Sequence, residues 1–298
     1  IPAGTYLITI AGASEDNNQT GDFDLLDPVI IQGIGADITI IDANYLDRAF
    51  DIYDESTIMD LSIINGRPPE GGGGIRNSGA RAPGITRCTV MNNSVTTPGF
   101  GGGGISNEYG YYDFLQTKMV VLDSRIIGNS AISFGGGIYN LYNLVINGSL
   151  VADNQTLSGS GGGVWSDITL PMTYSLIKNS TISGNTAALD GGGVYTADFG
   201  LPFQYVTVYD NNATSGAGGG VKINSGTVDF DCCIIAGNTA PSSPDIDGAA
   251  AGGYCLVGDG TGSSGWGGTD LVGTSASPID PLLGSLSNWG GMTETHPT

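Results

Sequence analysis

Short bursts of Ile, Val and Leu, with polar residues alternating between them, run the length of this chain and are broken by glycine or asparagine. Alternation with a period of two marks strands with one buried face. No stretch keeps helical spacing and no run reaches 18 apolar residues, so helices and membrane spans are not expected. The bursts follow one unit. Six times a glycine run leads into a β-branched residue and a polar or aromatic pair: GGGGIRN (71–77), GGGGISN (101–107), GGGIYN (135–140), GGGVWS (161–166), GGGVYT (191–196) and GGGVKI (218–223). Ile75, Ile105, Ile138, Val164, Val194 and Val221 therefore recur every 26–33 residues, the spacing of a stacked repeat array. In phase with them, short strands end in Asn93, Asn129, Asn154, Asn185, Asn211 and Asn238.

A unit of this length predicts three short strands and three turns. In the fifth unit these are GGGVYTA and FQYVTVYD with its continuation to Asn211, cut by a turn near Pro202. Successive units then pair in parallel, the six β-branched residues stack as a core, and the asparagines form an amide ladder at one turn. Glycines take a corner where a side chain would clash. A propeller blade needs about 40 residues and four strands, and a leucine-rich horseshoe needs a leucine framework that is absent. The fold predicted is all-β, a right-handed parallel β-helix of about 9–10 coils forming a single domain over 1–298. Within it, 1–70 are irregular opening coils, 71–240 the regular array, and 241–298 the last coils and a Gly/Ser-rich tail. The polar stretch 11–25 reads as a loop.

Glycine contributes 51 of 298 residues, about twice ordinary usage, without the period of collagen. Nine Lys and Arg against 29 Asp and Glu give a charge of −20, which a phosphate backbone or an anionic membrane repels. Nucleic-acid binding and membrane insertion are not expected, and an acidic coat suits an extracellular protein. The opening IPAGTYLITI is already strand-like, as in a segment cut from a longer precursor. Cys88 and Cys233 align in one column with Ser180, and Cys255 falls one rung after Cys233. Neighbouring rungs are close enough for a Cys233–Cys255 disulfide, with Cys232–Cys255 and a stack of buried thiols as alternatives. No Cys/His cluster suggests zinc.

Alternation of GGGI/V with TISGN-like strands resembles the glycine-rich β-helix repeats of bacterial and archaeal surface proteins, and is similar to those of polymorphic outer membrane proteins. IPAGTYLITIAGASEDNNQTGDFDL followed by GIGADITIIDANYLDRAFDI resembles the β-helix opening of CSLREA-domain proteins. PIDPLLGSLSNWGGMTETHPT resembles the closing segment of choice-of-anchor Q proteins. The resemblance implies a secreted or surface-anchored β-helix and supplies no catalytic residues; the CSLREA motif itself is not in this sequence.

Candidate chemistry is sparse. The single histidine, His296, lies in the tail, away from any nucleophile motif. A polysaccharide lyase would need a carboxylate calcium site beside an Arg or Lys base, and a glycosidase two carboxylates about 5–10 Å apart. Asp51, Asp54, Glu55 and Asp60 near Arg48 form one acidic patch, while Asp123, Arg125 and Asp153 occupy neighbouring rungs; the plain reading of each is a turn or surface residue. Asp22, Asp24 and Asp27 offer a possible calcium loop, although no cofactor is otherwise implied. Tyr109, Tyr111, Tyr112, Tyr139, Tyr142, Trp165 and Tyr195 could bind glycans, or simply pack; Tyr139, Trp165 and Tyr195 share one column. Glycosylation sequons fall at Asn18, Asn92, Asn147, Asn154, Asn179 and Asn212. Uncapped ends would allow a homo-oligomer or a head-to-tail filament. The sequence thus points to a non-enzymatic extracellular or cell-surface module, structural or adhesive, with a carbohydrate-binding or polysaccharide-degrading β-helix as the alternative.

Overall fold

A computed structural model describes residues 1–13, 15–79, 82–108, 118–168, 175–198 and 201–298. They form a parallel β-helix without a helical element among them. One face is an 11-stranded sheet with one strand per coil, from Gly4–Leu7 to Leu271–Val272. The stack therefore has eleven rungs, more than the repeat count suggested, because its first and last coils lack the glycine signature. A second sheet of 17 strands holds two strand positions per coil, beginning with Phe23–Leu25 and Ile30–Gln32. A five-stranded sheet, Ser94–Val95 to Asn212–Ala213, supplies a fourth side in the middle coils. Each middle coil thus has four strand positions where three were expected. In the fifth unit, FQYVTVYD splits into Phe203–Gln204 and Thr207–Tyr209. The turn falls at Tyr205, whose φ is 55°.

That break recurs. Arg87, Asp123, Gly148, Asn179, Tyr205, Cys232 and Tyr254 all have positive φ at the corner before the 11-stranded sheet. Asn92, Gly128, Asp153, Gly184, Asp210 and Gly237 do the same at the corner after it. A single left-handed residue reverses the chain sharply, and Asn, Asp and Gly tolerate that conformation best. It also aims the next residue into the stack, and at the second corner that residue is the asparagine.

There the backbone N–H and Nδ2 of Asn129 both donate to Oδ1 of Asn154, at 2.9 and 3.0 Å. Its second Nδ2 hydrogen goes to the carbonyl of Val90. The same pattern joins Asn93 to Asn129, Asn154 to Asn185, Asn185 to Asn211 and Asn211 to Asn238. All six side chains are buried. The ladder ends on Asp245, whose Oδ1 accepts from the N–H and Nδ2 of Asn238. The glycine runs explain themselves beside it. Gly161 has φ 71°; a methyl on Gly162 would strike the Gly192 carbonyl of the next coil; one on Gly163 would lie 3.0 Å from the Asn185 side chain.

Inside, Ile75, Ile105, Ile138, Val164, Val194 and Val221 stack in register, fully buried. Asn77, Asn107, Asn140 and Ser166, two residues further along these strands, form a second polar ladder at 2.7–2.9 Å. The stretch expected as a loop, 11–25, contains a strand at its end, Phe23–Leu25. The tail folds back over the outside of the 11-stranded sheet, where Glu294 pairs with Arg125 at 2.8 Å and His296 bonds Ser183 at 2.9 Å.

The first corner carries a ladder of its own. Cys88, Ser124 and Ser149 each donate a backbone N–H to the side-chain oxygen of the next member, ending on Ser180, at 3.1 Å. Cys233 donates to Cys255 Sγ at 3.4 Å. The column alignment therefore placed these cysteines side by side, but the expected disulfide is absent: all four cysteines are free thiols. Here Sγ acts as the corner acceptor that serine oxygen provides elsewhere.

Replacing Asn154 with Ala strands buried donors on Asn129 and an acceptor on Ile126, and should lower unfolding free energy by about 3 kcal/mol. Urea denaturation would measure it; Asn154→Asp, which puts an acceptor against Asn185 Oδ1, should cost at least as much. For the thiols, a disulfide reagent should modify Cys232 quickly in the native protein and all four cysteines after unfolding. Only two reactive thiols in the unfolded, unreduced protein would restore the disulfide. Burial pushes Cys88 up to about 12, which keeps it unreactive while folded.

Candidate functional site

Outward positions of the long sheet make a continuous column: Asp24, Asp51, Arg76, Ser106, Tyr139, Trp165, Tyr195, Lys222 and Asp247 lie in register on successive coils. At its upper end two aspartates stand directly side by side. Asp24 would be exposed there, but the loop of residues 15–22 lies over it. Asn18 N–H donates to Asp24 Oδ2, Asp24 N–H to Asn18 Oδ1, and Asn18 Nδ2 to the Asp24 carbonyl, each at 2.8 Å. Glu15 shapes the same loop by accepting the N–H groups of Asn17, Gln19 and Thr20.

Two arginines compensate part of the charge. Buried Arg48 reaches Asp22 at 3.2 Å and Asp51 at 3.1 Å through one nitrogen. Arg76 bonds Asp51 and Glu70. Tyr53 donates its hydroxyl to Asp16 at 2.7 Å. Asp16, Asp24 and Asp51 each bring an oxygen within 4.8 Å of the others. Burial pushes Asp22 up to about 7, with Asp47, Asp24 and Asp51 adding to the rise and Arg48 opposing it. Burial also raises Asp24 and Asp47.

The structure thus gathers Asp22, Asp24, Asp51 and Arg48 from the two expected acidic groups and leaves the others outside. Asp60 pairs with Arg87 at 2.6 Å on a different corner, which lowers its carboxyl. Asp27, Asp54 and Glu55 are not part of the cluster. Asp16, Asp47 and Arg76 were missed: Asp16 comes from a loop, and Arg76 looked like one variable position after a glycine run. The in-register column was the available signal, since it places Arg76 beside Asp51. Asp123 and Asp153 occupy two different corners, and Arg125 is held by Glu294, so these three make no common site.

Tyr139, Trp165 and Tyr195 do share a column, ring on ring, with centroids 4.9 and 5.9 Å apart and planes within 19° and 1°. Their faces are turned to each other, which leaves edges for a sugar. Tyr142 is half-buried nearby; Tyr109, Tyr111 and Tyr112 lie outside the described residues. Of the sequons, Asn154 is corrected: it is fully buried and its amide is spent in the ladder. Asn18, Asn92 and Asn179 are exposed, and Asn147 and Asn212 half-exposed.

No protein-family model, curated protein or solved structure matches this chain.

The folded value of Asp22 lies above its unfolded 3.8, so the protonated carboxyl favours the fold. Its contribution is fully present below about 4 and is lost as pH rises to about 7. With chelator present, Asp22→Asn should flatten that part of the stability–pH curve measured by urea midpoints, and an unchanged slope would show that other groups set it.

Proposed function

We propose that this protein is a non-enzymatic extracellular module with a structural or adhesive role at a cell surface, of the kind its sequence resembles. The observation that carries this reading is that, among the described residues, the asparagine ladder and the buried Ile/Val column beside it run unbroken through the regular array. An enzyme on such a scaffold needs a coil that breaks the columns to expose an acid and a base.

The charged cluster around Asp51 does not supply them. Arg48 is buried and Arg76 is held by two carboxylates, and the Asp51 contact shifts Arg76 upward against the desolvation that opposes it, so neither can act as a lyase base. Asp22, the carboxyl with a value suited to general acid work, sits at the base of the loop at 4% exposure, where a sugar cannot reach it. The ring-on-ring packing of Tyr139, Trp165 and Tyr195 likewise favours a ladder over a sugar platform.

The two ends of the stack differ. The first coil's strands, Gly4–Leu7, Phe23–Leu25 and Ile30–Gln32, each pair on one side. They frame an apolar cleft of about 660 Å³ lined by Tyr6, Leu7, Phe23, Ile30 and Phe50. At the other end Trp266 packs against Phe230, ring centroids 5.7 Å apart, and plugs the core. A head-to-tail contact is heterologous and would join these two unlike ends, but with Trp266 packed over one of them the reading is of a module that does not polymerise.

The test is a turnover screen of acidic and neutral polysaccharides, read by new reducing ends and unsaturated products, with sedimentation velocity on the same material. The proposal expects no turnover and no series of higher oligomers. Depolymerisation of any polysaccharide, lost in Asp22→Asn or Asp51→Asn, would replace it with the carbohydrate-active reading.

A further inference from the structure

We propose that Asp16, Asp24 and Asp51 bind a hard divalent cation, calcium in the first instance, which fastens the loop of residues 15–22 to the first coils. Three observations converge. Asp24 and Asp51 are nearest neighbours on adjacent coils, an arrangement in which like charges repel. Around them, Asp16, Asp22, Asp24, Asp47, Asp51 and Glu70 face two guanidinium groups, Arg48 and Arg76. Most decisively, Asp24 is 5% exposed and its Oδ1 has no hydrogen-bond partner, while its Oδ2 is taken by Asn18. A buried carboxylate oxygen without a donor is costly unless a cation faces it.

The donor set fixes the chemical class. Every candidate atom is a carboxylate oxygen, with neither imidazole nor thiolate in the group, which suits a hard cation and not zinc or copper. Asp16 is exposed and enters from a loop, so the outer side is open to water and adjustable. Calcium accepts such a mixed, irregular shell; magnesium asks for a tighter octahedron. Two arginines on Asp51 weaken the field, so affinity should fall near the weak end of protein calcium sites, on the order of 0.1–1 mM. The site is independent of whether the module is adhesive.

Terbium provides the probe, because the Tyr53 ring stands beside Asp16 and can pass excitation energy to a lanthanide held there. Titration of the full chain should give tyrosine-sensitised terbium emission that calcium displaces, and calcium should raise the melting temperature above sodium at matched ionic strength. Asp24→Asn, which keeps the shape of the side chain, should weaken terbium binding at least about tenfold and abolish the calcium shift. Asp16→Asn, in the exposed loop, provides a second variant if Asp24→Asn does not fold, and circular dichroism decides that. Emission and melting shift unchanged in a folded variant, or absent in the wild-type protein, would overturn the proposal and leave only diffuse binding to an acidic surface.

Discussion

A closed coil cannot satisfy the backbone at its own corners. Where the chain turns through a left-handed residue, the next N–H points along the stack axis, sealed from water, and needs an acceptor from the coil beyond. Asparagine meets that need twice over, because its oxygen takes two hydrogens from the preceding rung while its nitrogen serves the following one. At the other corner a hydroxyl or a thiol takes a single hydrogen, as Ser124, Ser149 and Cys255 do. Buried polar groups of this kind are tolerated only when every member is paired, which ties each coil to its neighbours as firmly as the apolar columns do.

Much of this architecture is written plainly in the sequence. The glycine runs and strand-ending asparagines recur in phase, so parallel stacking and the ladder follow from spacing alone. What spacing hides is conformation inside a strand-like run: nothing in FQYVTVYD announces that Tyr205 turns the corner, since tyrosine has no preference for positive φ and is held there by its neighbours. The Asn77–Asn107–Asn140 ladder was overlooked for a different reason. Those residues directly follow an outward position and read as polar exterior, yet alternation turns them inward. The acidic site was half visible. Asp22, Asp24 and Asp51 stood out by composition, but their meeting depends on register between coils and on a loop that covers them.

The same register that stacks amides to advantage stacks carboxylates at a cost. Asn107 beside Asn140 presents a donor to an acceptor; Asp24 beside Asp51 presents charge to like charge. Further down the same column the conflict is solved by alternating sign, with Arg76 next to Asp51 and Lys222 next to Asp247, and by rings that stack without charge at all. Only the first two coils leave an excess, and it lies where the fold has an open end and a covering loop.

Asp245 gives the amide relay a terminus. An asparagine there would hand a hydrogen onward; a carboxylate only receives, and its other oxygen takes the Asp259 N–H. Between Asn93 and Asp245 every amide junction of the ladder is chemically alike, so at this corner a duplicated or deleted coil would meet the same interface on both sides. At that corner the stack could lose or gain a whole unit without new chemistry at the seam, and one acidic residue sets where the relay stops.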